Sequence, residues 1–149
     1  MEAGDPLQAI LEELRVTLDV GRCTLRQPLP GDVYLPVTHE VLAGGAPVIA
    51  DDTSVDLRTQ PVPRRLAAGE RQVVQEDCRA ASDEPAFHAM LERYGGMRAQ
   101  VVTGIHDGDG SLVGVLSVHE LRAPRAWSGE ELAVIDAAAE EVRKELTTP

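Results

Sequence analysis

Aromatic side chains are scarce. Phe, Trp and Tyr together make up 3% of the 149 residues, so a core must be built mostly from Val, Leu, Ile and Ala. Cysteine is almost missing as well. Two thiols far apart in the chain are too few for a disulfide framework or a zinc site, and suit buried, reduced side chains. No apolar run approaches the ~20 residues of a membrane span, and Met1-Glu2-Ala3-Gly4-Asp5 lacks the basic start of a signal peptide. The expectation is a cytoplasmic protein with no membrane contact. Positive charge is in deficit: 14 Lys and Arg stand against 25 Asp and Glu, a net charge of −11. That balance repels phosphate backbones and argues against nucleic acid as a partner. Phosphate-cradling glycine loops and the nucleophile elbow of hydrolases are missing too. The run His106-Asp107-Gly108-Asp109-Gly110-Ser111 has the look of a calcium loop, but Leu112 sits where such a loop needs Gly and Val118 where it needs Glu. His39 and Glu40 have no spacing that suggests a metal site.

What is present is ordinary globular material: 43% hydrophobic and 26% charged residues, enough chain for one domain over 1–149 with a core over about 5–147. The most informative stretch is 97–146. Two runs rich in β-branched residues flank an Asp/Gly turn, which predicts a hairpin, because Gly108 and Gly110 tolerate positive φ and Asp can bond nearby amides. The second run stops at Pro124. A helix then starts at Ser128, where Ser128 and Glu131 match a capping box.

This unit resembles the C-terminal half of a GAF domain, the small sensory module of phytochromes, cyclic-nucleotide phosphodiesterases and many bacterial signalling proteins. The resemblance rests on Leu112-Val113-Gly114-Val115-Leu116-Ser117-Val118-His119, on Pro124-Arg125-Ala126-Trp127-Ser128 and on Glu130-Glu131-Leu132. The part from His119 to Trp127 is most similar to phytochrome-like GAF domains, in which a similar His precedes a Pro-Arg-x-Trp element.

In chain order, Leu7, Ile10, Leu11, Leu14 and Leu18 recur at helical spacing, with Asp5 and Pro6 as the start and Gly21 as the stop. Cys23 to Arg26 reads as a strand, ended by Pro28 and a Pro30-Gly31 turn. Val33 to Val37 reads as another, with Pro36 arguing for an edge position. A short helix over Glu40 to Gly45, a short strand over Pro47 to Ala50, a helix over Val62 to Ala68 and a strand at Val73 to Gln75 follow. Ser82 to Pro85 opens a helix that runs to Tyr94 and stops at Gly95-Gly96. Strands do not alternate regularly with helices, so the expected fold is α+β: one antiparallel sheet, terminal helices on one face, loops and short helices over the other. The resemblance implies that this second face encloses a ligand pocket.

With period two, Leu112, Gly114, Leu116 and Val118 share one side of the hairpin strand, facing the terminal helices. Val113, Val115, Ser117 and His119 share the other. An apolar wall carrying a hydroxyl and an imidazole suits a small-molecule site, and Thr103 is the comparable residue on the partner strand. His88 and Asp77 complete the candidate binding set with His119, Ser117, Val115 and Thr103. Asp51, Asp52 and Asp77 suit a pocket mouth or equally a set of acidic turns. Trp127 reads as a packing anchor, and Arg125 as the partner of an acid or carbonyl.

Phytochrome-like GAF domains with a covalent bilin carry Cys next to His on the helix before the hairpin. Here that dipeptide is Phe87-His88, so the resemblance does not extend to covalent attachment. Non-covalent tetrapyrrole or haem binding through His88 or His119 stays open, and otherwise no cofactor is expected. The leading reading is a non-enzymatic sensory domain for an unidentified small molecule, passing its signal to another protein. Two alternatives stand beside it. One is a thiol enzyme similar to the GAF-like reductases of free methionine sulfoxide, using Cys23 and Cys78. The other is a ligand-free dimerisation module. Finally, Leu132, Ile135, Ala139, Val142 and Leu146 form a heptad-like stripe. With the Leu7, Ile10, Leu14 and Leu18 stripe they predict a homodimer through the terminal helices, unless the sheet uses both.

Overall fold

The computed structural model describes residues 4–28, 35–50 and 60–148. Helix α1 spans Pro6–Leu18 and is followed by strands β1 (Arg22–Arg26) and β2 (Val37–Leu42). Helix α2 (Pro61–Ala67), strand β3 (Gln72–Gln75) and the short helices α3 (Cys78–Ala81) and α4 (Pro85–Arg93) come next. Strands β4 (Ala99–His106) and β5 (Leu112–Glu120) and the closing helix α5 (Gly129–Thr147) complete the chain. The five strands form one sheet in the order β2-β1-β5-β4-β3, and every pairing is antiparallel. This is the expected α+β architecture.

Local chemistry explains the best-defined elements. Asp5 Oδ1 accepts the Leu7 amide at 2.9 Å and caps α1. The helix ends at Asp19, whose φ of 53° is left-handed, rather than at Gly21. Gly21 instead makes room for a neighbour, since a Cβ there would sit 2.7 Å from Leu121 Cδ1. At α5, Ser128 Oγ accepts the Glu131 amide at 3.1 Å and Glu131 Oε1 accepts the Ser128 amide at 2.9 Å, closing the capping box. In the hairpin turn, Asp107 Oδ1 accepts the amides of Asp109 and Ser111, and Gly110 takes a φ of +82°.

Each face of the sheet buries its own core. On one, Leu11, Leu14 and Leu18 of α1 and Ile135, Ala139 and Val142 of α5 close over Leu25, Leu116 and Val118. Both helical stripes pack mainly on the sheet, leaving Leu7, Ile10, Leu132 and Leu146 half-buried at its margin. On the other face, Val62, Leu66, Phe87, Met90 and Leu91 of α2 and α4 close over Val73, Val102 and Val115.

Three expectations for the middle of the chain are corrected. The second strand is Val37–Leu42; it is the sheet edge, and Leu35 and Pro36, expected within a strand, precede it. The helix expected over 40–45 does not form, because Glu40, Val41 and Leu42 pair with β1 and a turn follows at Gly44-Gly45. Residues 47–50 form no strand. Residues 30, 31, 33 and 34, as well as Asp51 and Asp52, lie outside the described residues.

Candidate functional site

Between the sheet and the α2/α4 layer lies a cavity of ≈ 340 Å³, within the range of small-molecule sites. Val115, Ser117 and His119 of β5 and Gln100 and Val102 of β4 form its floor, with Arg26 of β1 beside them. Val62 and Leu66 of α2, Phe87, Met90 and Tyr94 from α4 and its end, and Met97 supply the apolar cover. Among the described lining residues, seven are polar or charged: Arg26, Gln60, Arg64, Tyr94, Gln100, Ser117 and His119.

Register decides which side chains reach the cavity, since residues directly opposite on paired strands point the same way. Val102 lies opposite Ser117 and Gln100 opposite His119. Thr103 lies opposite Leu116, so it faces the terminal helices and not the cavity; its Oγ1 accepts from Gln72 Nε2 at 3.0 Å. A bulge in β5 also reverses two assignments. Ile105 pairs with Gly114 and His106 with Leu112, leaving Val113 as the extra residue. Leu112 consequently lines the cavity, while Val113 packs on the terminal-helix core.

His88 is also turned away. Its Nε2 lies 2.6 Å from the Ser82 carbonyl oxygen, and its neighbour Phe87 is the one that lines the cavity. Asp77 caps α3, accepting the Arg79 amide at 3.2 Å, and does not line the cavity. Of the six candidates, the structure brings Val115, Ser117 and His119 together and places Thr103, His88 and Asp77 elsewhere.

His119 is the most constrained polar group of the site. It is 4% exposed and its ring stacks on Tyr94 at a centroid distance of 6.4 Å. Arg22 Nη1 lies 3.0 Å from Nδ1. A guanidinium can only donate, so Nδ1 is the acceptor and the ring proton of the neutral imidazole sits on Nε2. Burial first, and then the charges of Arg22 and Arg26, hold the imidazole well below its ordinary range and keep it neutral. Arg22 is itself fully buried. Its Nη2 donates to the carbonyls of Pro47 at 2.7 Å and Tyr94 at 3.0 Å, and its Nε lies 3.9 Å from Glu40 Oε2.

The sequence does not single out Arg22, Arg26, Tyr94, Gln60 or Gln100. The available signal is the alternation in β1, where Arg22, Thr24 and Arg26 interleave with apolar Cys23 and Leu25, a pattern that a half-solvated strand would share. Trp127 and Arg125 occupy the packing and pairing positions expected of them. Trp127 Nε1 donates to the Gln75 carbonyl at 3.2 Å. The Arg125 guanidinium lies 4.8 Å from the Trp127 ring centroid and bonds to Glu120, Glu131 and the Leu18 carbonyl.

The resemblance to phytochrome-like domains invites a test for a covalent tetrapyrrole, and the thiols do not fit one. Cys23 is buried on the terminal-helix side and Cys78 on the other; neither lines the cavity, and burial pushes both up to about 12. Haem ligation by His119 Nε2 would require the ring proton to move to Nδ1, where it would face the Arg22 guanidinium. Among the described residues no group of three His, Cys, Asp or Glu is placed to hold a metal ion, and no helix is long and apolar enough to cross a membrane.

An antiparallel sheet with terminal helices on one face and a roofed cavity on the other defines a class of α+β domain with an internal pocket. Within it, this chain belongs to the GAF domain family, whose profile matches residues 3–146. No curated protein sequence matches the chain. Among solved structures it is similar to GAF3 from Slr1393 of Synechocystis sp. PCC6803 in its photoproduct state, with 20% identity, a TM-score of 0.76 and coverage of 93% of this chain and 92% of that one. The blue-light absorbing form of the Thermosynechococcus elongatus PixJ GAF domain shows 23% identity and a TM-score of 0.73, over 96% of this chain and 79% of that one. A phycocyanobilin-bound GAF domain from a cyanobacterial phytochrome shows 19% identity and a TM-score of 0.72, over 93% and 81%. These likenesses establish the fold.

Proposed function

We propose that this chain is a non-enzymatic sensory domain that binds a small molecule in the cavity between the sheet and α2/α4 and passes the signal to a partner protein. The observation that carries the reading is His119: a neutral imidazole, locked by Arg22 from behind, whose Nε2–H no described residue accepts, at the wall of a mostly apolar cavity. That donor opens on the cavity, where a ligand can supply the acceptor, and the buried, unpartnered Gln60 Oε1 on the same lining can take a donor from it. Membership of the GAF family and the likeness to a phycocyanobilin-bound domain agree with a pocket in this place.

Native mass spectrometry of the purified protein is the direct test. The expected result is an added mass that is released on denaturation and is lost in Ser117→Trp, which fills the cavity. Empty wild-type protein that no compound of a metabolite library stabilises would refute the reading.

A further inference from the structure

The described lining of the cavity differs in charge from the chain as a whole. Acids outnumber bases by 25 to 14 in the sequence, yet among the described residues the charged groups lining the cavity are Arg26 and Arg64, and no Asp or Glu lines it. Arg64 is paired at the rim, donating to both carboxylate oxygens of Glu84 at 2.8 Å. Arg26 differs. Its Nη1 donates to the Leu35 carbonyl at 2.8 Å and its Nη2 to the Tyr94 hydroxyl at 3.2 Å, and no described acid pairs with it.

Two neutral acceptors fix the fork without neutralising it. Having accepted from Arg26, the Tyr94 hydroxyl still has its own proton to give. His119 adds Nε2–H, and Ser117 adds a hydroxyl that no described residue bonds. These donors share a mostly apolar space with one buried, unpartnered acceptor, Gln60 Oε1. Arg22, Thr24 and Arg26 stand on one face of β1, opposite His119, Ser117 and Val115. Arg26 and His119 thus mark two ends of one wall, about 13 Å apart along the strand at ~3.3 Å per residue.

We propose that the cavity takes an apolar molecule bearing a carboxylate, with the carboxylate on Arg26 and Tyr94 and an acceptor further along the body on His119. This rests on the small-molecule reading above and narrows it to a chemical class. A guanidinium held as a fork matches a carboxylate's two oxygens, and charge-assisted bonds of this kind are the strong ones. Arg22 acts at one remove, positioning the His119 proton toward the ligand.

Titration calorimetry with matched probes tests the class: 2-naphthoate against 2-naphthamide and 2-naphthylmethylammonium, and decanoate against decanol. Biliverdin, whose propionates offer the same group, is the tetrapyrrole arm. At least one acid is expected to bind about tenfold or more tightly than its uncharged partner. Arg26→Gln should erase that preference and Arg26→Lys should keep part of it, with melting temperatures checked for each. If Arg26→Gln does not fold, the graded loss in Arg26→Lys decides. Tighter binding by biliverdin than by the smaller acids, lost in Arg26→Gln, supports the class and assigns it to a tetrapyrrole source. Amide or amine binding as tightly as acid, an acid preference that survives in Arg26→Gln, or no acid binding at all would overturn the proposal. Whether native mass spectrometry shows an added mass bears on the broader reading independently.

Discussion

Arg22 and His119, 97 positions apart in the chain, face each other across β1 and β5 with Nη1 and Nδ1 at 3.0 Å. The bond joins two strands and, through the other guanidinium nitrogen, the carbonyls of Pro47 and Tyr94. Arg22→Met is expected to leave the buried Tyr94 carbonyl, the part-buried Pro47 carbonyl and an imidazole without their donor, and to destabilise the fold by ~3–5 kcal/mol. Urea unfolding of the two proteins measures it. A loss under ~1 kcal/mol would mean that the network is incidental.

The neutral state of His119 has a pH signature. Its folded pKa is depressed, by burial first and by Arg22 and Arg26 next, while an unfolded imidazole takes its proton near pH ~6.5. Below that pH the unfolded chain binds the extra proton. The stability tied to neutral His119 is thus complete above ~6.5 and drains away as pH falls toward the folded value, by up to ~1.4 kcal/mol per pH unit. Denaturant titrations at pH 7 and pH 5 should show the loss, and His119→Gln should reduce it. An imidazole that titrates near 6.5 by NMR in the folded protein would contradict the buried, neutral assignment.

Cys23 and Cys78 are buried, with thiols pushed up to about 12. Thiolates are the reactive species, so both are expected to resist a disulfide reagent in the native protein and to react within seconds in denaturant. A thioredoxin-coupled assay with free methionine sulfoxide is expected to show no turnover. Turnover that disappears in Cys78→Ser would reverse the non-enzymatic reading.

Ser128→Ala removes one half of the α5 capping box and is expected to cost ~1 kcal/mol. A fall of a few degrees in melting temperature, with the fold otherwise intact, is the readout.

Pairing of two copies through α1 and α5 is proposed on the apolar area that the sheet leaves over, notably Val16, 66% exposed on α1. Leu14 is 2% exposed inside the core, so Leu14→Glu is expected to unfold the domain and not merely to separate copies. Val16→Glu is the cleaner probe. Sedimentation should show it monomeric where the wild type is dimeric, and a wild type that stays monomeric at high micromolar concentration ends the idea.

The ends of the chain were legible because their signals are local. Asp5 before Pro6, the Asp107–Ser111 turn and the Ser128/Glu131 pair each specify backbone within a few residues. The edge strand was not legible. Glu40 to Leu42 form a strand only because β1 offers the pairing Thr24 to Glu40 and Cys23 to Val41, a contact no short window contains. The site divides the same way. Alternation along β5 gives Val115, Ser117 and His119, but nothing in β4 reveals whether Val102 or Thr103 stands opposite Ser117, and a slip of one residue swaps the faces. Phe87 and His88 pose the helical version of that ambiguity, settled by the packing of α4.

The sheet is a single backbone thick, so neighbouring residues serve opposite rooms. Ser117 and His119 look into the cavity, while Leu116 and Val118 hold up α1 and α5. A strand cannot be twisted on one side alone. Any torque on β5 at His119 is carried by the same peptide units into the seat of α5, and the partition between the two compartments is also the lever that joins them.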